Sequence, residues 1–87
     1  MSIYETCEKI KGLMITTGCN LIVGEDLNGN TYCNLDDCYI KKGVALDGTH
    51  GRGKDLIDAI GDYLEFVNGK TIVVHPSGKN RKEIYVM

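Results

Sequence analysis

Residues 55–69 read DLIDAIGDYLEFVNG, and this stretch decides the fold. Leu56, Ala59, Ile60, Tyr63, Leu64 and Val67 recur at the spacing of a single helical face, while Asp55, Asp58, Asp62 and Glu65 fall largely opposite. Asp55 stands where a carboxylate stabilises a helix N-terminus. Gly69 follows the last apolar residue and can take a left-handed conformation without a steric penalty, which stops a helix. The spacing predicts one amphipathic helix. Thr71 to His75 after it is a compact β-forming run, and Pro76-Ser77-Gly78 is a turn, because Pro presets φ and Gly tolerates the reversed sign. Lys82 to Met87 alternates as a last strand, with Ile84 and Val86 on one face.

The N-terminal half predicts a second helix and three strands. Ser2 and Glu5 form an S-x-x-E capping box, in which each side chain can satisfy a backbone N–H. Ile3, Cys7, Ile10 and Met14 follow at helical spacing and Leu13 widens the stripe, so a helix is expected from about Ile3 to Met14, with Cys7 on its buried face. Gly12 weakens it by roughly 1 kcal/mol relative to Ala, and Thr16, Thr17 and Gly18 close it. Cys19 to Glu25 is a strand, Asn28-Gly29 a type I′ hairpin signal, and Thr31 to Asn34 the return strand. Asp36-Asp37 marks a bend, and Cys38 to Val44 a third strand with Lys41 and Lys42 at its exposed end.

The expected order is α-β-β-β-α-β-β over residues 1–87. This is a single small α+β domain, with an antiparallel sheet covered on one face by two helices. Lys82, Glu83 and Tyr85 guard the final edge against other chains. The same terminal strand, as a free edge, suits a symmetric partner, so two copies could pair through it.

A chain of 87 residues buries one modest core. Trp is absent and Phe66 is the single Phe, so core volume comes from Ile, Leu, Val and Tyr. The net charge of −2 is too weak for a DNA mimic and has the wrong sign for a strongly basic nucleic-acid module. No apolar run reaches the ~20 residues that span a bilayer, and residues 1–11 lack a signal-peptide core. The expected location is the cytoplasm, where the four cysteines would be reduced thiols.

Four constellations could carry chemistry. Gly48 to Lys54 fits G-x-x-x-x-G-K before a helix, the arrangement in which backbone N–H groups and a Lys surround phosphates. Asp55 replaces the Ser or Thr that would hold Mg²⁺, so a flexible strand-to-helix loop is the plainer reading. Loose anion binding by Arg52 and Lys54 stays open. Cys7, Cys19, Cys33 and Cys38 with His50 and His75 could hold zinc, but no C-x-x-C is present and Cys33 and Cys38 are the one close pair. Structural thiols are the plainer reading here. Neither His has a catalytic context, so no enzyme and no cofactor are expected. Lys79, Asn80, Arg81 and Lys82 form the one basic cluster; with Lys41, Lys42, Arg52 and Lys54 it could make a basic patch, and otherwise it is a solubilising loop. It lacks the interleaved aromatics of a single-strand binder.

Gly51-Arg52-Gly53-Lys54, Ala59-Ile60, Asp62-Tyr63, Gly69-Lys70-Thr71-Ile72-Val73-Val74 and Asn80-Arg81-Lys82-Glu83-Ile84 together resemble the C-terminal signature of small phage and prophage proteins. The resemblance covers under half of the chain. The sheet-then-helix portion more faintly resembles HicB-type antitoxins, and the α-β-β-β-α order resembles double-stranded RNA-binding domains. The latter carry a basic motif at the second helix, where this chain has Asp55, Asp58 and Asp62. Phage resemblance implies a small non-catalytic protein that binds a host protein, with inhibitors of CRISPR effector nucleases as one such class. Its candidate anchors are exposed aromatic and Arg side chains, Tyr32, Tyr39, Arg52, Arg81 and Tyr85, with Lys54 beside Arg52. The alternative is a small nucleic-acid-binding or antitoxin-like regulatory module, zinc-stabilised through Cys33 and Cys38 in one variant.

Overall fold

The helix of the opening stretch forms as its spacing requires. In a computed structural model that describes all 87 residues, helix α2 runs Leu56–Val67 and buries Ala59, Ile60, Tyr63, Leu64 and Val67. Asp55 caps it, its carboxylate accepting the Asp58 N–H at 2.9 Å, and Gly69 follows at φ +73°. Helix α1 runs Ile3–Thr17, three residues beyond Met14, and ends on the left-handed Gly18. Ser2 Oγ accepts the Glu5 N–H at 3.1 Å, but the Glu5 carboxylate takes the Ser2 hydroxyl and not its N–H, so half of the capping box forms.

Seven strands complete the chain: β1 (Leu21–Glu25), β2 (Thr31–Leu35), β3 (Cys38–Lys42), β4 (Ala45–Asp47), β5 (Gly51–Gly53), β6 (Thr71–Val74) and β7 (Lys82–Tyr85). The class is α+β and every pairing is antiparallel. The strands form two sheets, β1-β2-β5 and β4-β3-β6-β7, where the sequence predicts one. The division follows from β4 and β5, which alternation does not flag. Gly43, at φ +62°, opens a two-residue turn that folds Ala45–Asp47 back onto β3. The Gly-rich stretch expected to be a loop pairs with β2, Cys33 opposite Gly51 and Tyr32 opposite Arg52. The β1–β2 connection also differs from the type I′ expectation. Asn28 does not take positive φ, and the Asp26 carboxylate organises the turn by accepting the Asn28 and Asn30 N–H groups at 2.9 and 3.0 Å.

One core joins the elements. Cys33 and Leu35 of β2 and Cys38 and Ile40 of β3 meet α2, together with Ile72 and Val74 of β6. Gly51 and Gly53 let β5 lie directly on α2: a Cβ on Gly51 would stand 2.1 Å from the Ala59 carbonyl oxygen, and one on Gly53 2.7 Å from the Ala59 nitrogen. Helix α1 buries Thr6, Ile10 and Thr17, and Leu13 and Met14 of the expected stripe pack half-buried against the core, while Ile3 and Cys7 are exposed, which corrects the N-terminal part of that stripe. The buried face is the one that lies on α2. Its threonines satisfy their hydroxyls within the helix, Thr6 Oγ1 donating to the Ser2 carbonyl at 3.0 Å and Thr17 Oγ1 to the Leu13 carbonyl at 2.6 Å. No helix is long and apolar enough to cross a membrane.

Candidate protein-interaction face

Strand alternation assigns each side chain to a face. Cys33, Leu35, Gly51 and Gly53 look toward α2, so Ile22, Gly24, Tyr32, Asn34 and Arg52 look away from it. In the second sheet Cys38, Ile40, Ile72 and Val74 enter the core, so Tyr39, Lys41, Val73, Glu83 and Tyr85 occupy the helix-free side. Both helices lie against the opposite, core-facing side.

Tyr32 anchors the first half of this side. Its ring lies over Gly24, where a Cβ would stand 2.3 Å from Tyr32 Cζ. The His50 ring meets it edge-to-face, with centroids 5.6 Å apart and planes at 62°. Arg52 is directly across the ladder from Tyr32, its Nε 3.5 Å from Asp26 Oδ2. The backbone N–H of Asn30 holds the Asp26 carboxyl below the usual carboxylate range, with smaller help from Asn28 and Arg52 against the opposing effect of burial. Beyond His50, Gly48 lies beside the Tyr39 ring, where a Cβ would stand 3.4 Å from Tyr39 Cδ1. A cavity of about 260 Å³ beside Tyr39 is lined by Asn34, Thr49 and His50 among others.

Tyr39 begins the second half. Val73, across from it, is fully buried although it belongs to the outer face. An ion-pair cluster accompanies it: Lys41 Nζ lies 3.0 Å from Glu83 Oε1, and Arg81 Nη2 lies 3.4 Å from Glu83 Oε2. The Lys41 hydrogen bond, then that of Arg81, lowers the Glu83 carboxyl. Tyr85 stands at the far edge, 62% exposed.

Of the six anchors expected from the sequence, Tyr32, Tyr39, Arg52 and Tyr85 occupy the helix-free sheet side. Arg81 joins it through Glu83. Lys54 does not belong to the sheet; it is exposed at the turn from β5 into α2. His50, Ile22 and Asn34 complete the face, and the sequence marks none of them as part of it. Ile22 alternates with Leu21 and Val23, but only the register shows which face looks outward.

The other constellations resolve into structure. Gly51 and Gly53 serve the β5–α2 contact, and Asp55 occupies the helix N-terminus where a phosphate would bind. Cys33 and Cys38 are buried, and burial first of all pushes each thiol up to about 11. A zinc ligand is a thiolate, and no group of three or more Cys, His or acidic side chains converges. His75 and Asp37 both take positive φ, 53° and 54°, and pair twice: His75 Nδ1 to Asp37 Oδ2, and the His75 N–H to the Asp37 carbonyl, each at 3.0 Å. This pair ties the β2–β3 turn to the end of β6. The nearby Thr17 hydroxyl already donates to Leu13 and accepts from the Cys19 N–H at 3.1 Å. No family model, curated protein or solved structure matches the chain.

Proposed function

We propose that the chain is a non-catalytic binding protein that engages a host protein through the helix-free side of its sheets and blocks it sterically. The single observation that carries the reading is the Tyr32–His50–Arg52 cluster, continued by Tyr39 on an uncovered sheet side. Tyr and Arg side chains held by a rigid sheet are the usual energetic centre of a protein interface.

The charges favour a protein over a nucleic acid. Lys41, Lys42, Arg52 and Arg81 each already face a carboxylate of this chain. Lys82 Nζ donates to the Thr16 carbonyl at 2.9 Å. A phosphate backbone needs unpaired cations in a row, and four of the seven cations of the expected basic patch are already paired within the chain. The phage resemblance supplies the partner class: a host defence protein in the host cytoplasm, with a CRISPR effector nuclease as the first candidate.

The test is DNA cleavage by purified effector nucleases with increasing amounts of the chain. Stoichiometric inhibition is expected. Tyr32→Ala with Arg52→Ala should weaken it by about 2 kcal/mol, roughly 30-fold in Kd, while Lys79→Ala, in the distant loop, leaves it unchanged. Absence of inhibition across effector types removes the CRISPR assignment. Inhibition insensitive to Tyr32 and Arg52 removes this face. Binding to DNA or RNA with a steep salt dependence would establish the regulatory alternative instead.

A further inference from the structure

We propose that two copies of the chain pair edge to edge through β1, in antiparallel register centred on Val23, joining their three-stranded sheets into one continuous six-stranded sheet. This inference is independent of the identity of any partner.

The hydrogen-bond parity of β1 shows which groups are free. At one end the Asp36 N–H donates to the Asn20 carbonyl, and at the other the Asp26 N–H donates to the Asn30 carbonyl, each at 2.9 Å. Even-numbered residues of this strand therefore bond to β2. By the period of two, the N–H and C=O of Leu21, Val23 and Glu25 point away from β2 to the free edge. No turn, loop or side-chain hydrogen bond outside the ladder engages them.

The remaining edges are less suited to a second copy. At β5, the Arg52 N–H is already taken by the Asp62 carboxylate at 2.8 Å. Strand β4 has three residues, and its Asp47 pairs with Lys42 at 2.8 Å. Strand β7, the edge that the sequence suggests for pairing, carries Lys82 and Glu83, both held in contacts within the protomer. Such charges protect an edge. Strand β1 reads LIVGE, with one charge at its end. Val23 is 50% exposed although it points to the core-facing side, and Ile22 is 42% exposed on the other.

The sequence of β1 is self-complementary in a single best register. Centring the two-fold on Val23 sets Leu21 opposite Glu25 of the second copy and Val23 opposite its counterpart. All three outward residues then exchange N–H···O bonds, and no like charges meet. The same register sets Ile22 opposite Gly24 of the other copy. Gly24 is the residue covered by the Tyr32 ring, so Ile22 gains an aromatic neighbour on the outer face while the two Val23 side chains cover each other on the inner face. Moving the centre by one residue leaves an outward group of each strand unpaired.

Sedimentation equilibrium from micromolar to millimolar concentration tests the pairing. The wild-type chain is expected at twice its 9.6 kDa protomer mass. Val23→Lys sets two ammonium groups opposite each other, and Val23→Pro deletes an outward N–H that the protomer ladder does not use; both are expected at protomer mass with unchanged circular dichroism. Tyr85→Lys, on β7, is expected to stay dimeric. Amide exchange on the unmodified chain gives a readout that no substitution can confound: Leu21, Val23 and Glu25 should exchange slowly at millimolar concentration and fast on dilution. A wild-type chain of protomer mass throughout, a dimer that survives Val23→Lys, or unprotected edge amides at millimolar concentration overturns the proposal.

Discussion

Helices α1 and α2 are both rich in apolar residues, yet they are held differently. Helix α2 separates its residues by face, and its five buried side chains all lie on the stripe read from the sequence. Helix α1 spreads Ile3, Tyr4, Cys7, Ile10 and Ile15 around its circumference and buries two threonines beside Ile10. Periodicity chooses a face only when the opposite face is polar. Where apolar residues surround the helix, its neighbour chooses. For α1 that neighbour is α2, and the line from Thr6 through Ile10 to Thr17 is the one that meets it.

The sharpest way to break the better-seated helix is Gly51→Ala. The new Cβ would meet backbone atoms of Ala59 and Tyr63 at 2.1 and 2.4 Å, and neither can rotate away. Strand and helix would have to separate. A loss of about 3 kcal/mol or more is expected, enough to unfold most of a domain of this size. Urea unfolding followed by circular dichroism measures it. A loss below about 1 kcal/mol would mean that β5 does not lie directly on α2.

The second effect tests the polar anchoring of α1. Thr17→Val keeps the side-chain shape but removes the oxygen that accepts the buried Cys19 N–H at 3.1 Å. An orphaned buried donor costs about 2 kcal/mol. The same measurement on Ile3→Ala, at a position 67% exposed, should show almost no change. A reversal of the two would restore the stripe predicted from Ile3 and Cys7.

These two experiments mark how much of the molecule is legible in its sequence. Helix α2, its Asp55 cap and the positions of β1, β2, β3, β6 and β7 follow from spacing and turn residues, because each rests on contacts within a few residues. Strand β5 does not, since three residues with two glycines carry no alternation. Their meaning is a contact with α2 that appears only when the chain closes. The division into two sheets is hidden for the same reason: alternation marks a strand but not its partner. The candidate face is half legible. Tyr32, Tyr39, Arg52 and Tyr85 stand out by residue type, but their common side depends on register, and His50 enters the face only through its packing on Tyr32.

A smaller effect has the opposite sign. Gly12 sits within α1, exposed, and a Cβ there would meet nothing within 4 Å. Gly12→Ala should stabilise by about 0.5–1 kcal/mol through the reduced backbone entropy of the unfolded chain. The identical substitution at Gly51 and at Gly12 should therefore move the urea midpoint in opposite directions. Destabilisation by Gly12→Ala would show that α1 packs more tightly on this side than the open space around Gly12 indicates.

The smallest stability change is expected from Cys7→Ser, within about 0.5 kcal/mol, because the Cys7 side chain is exposed. Its thiol nevertheless separates the two arrangements of α1 clearly. A thiol-specific reagent near neutral pH should modify Cys7 quickly in the native protein and all four cysteines in denaturant. Cys19, Cys33 and Cys38 are buried, and for Cys33 and Cys38 burial raises the thiol to about 11, so the reactive thiolate is scarce as well as shielded. The sign with pH follows. In the unfolded chain the Cys33 and Cys38 thiols ionise at about 8.5, and burial pushes them up to about 11 in the native state. Native stability is therefore intact below the lower value and falls as pH rises between the two. Protection of Cys33 and Cys38 should weaken over that alkaline range, while the exposed Cys7 labels rapidly throughout. Slow labelling of Cys7 at neutral pH would place it against the core and return α1 to the orientation its apolar residues suggest.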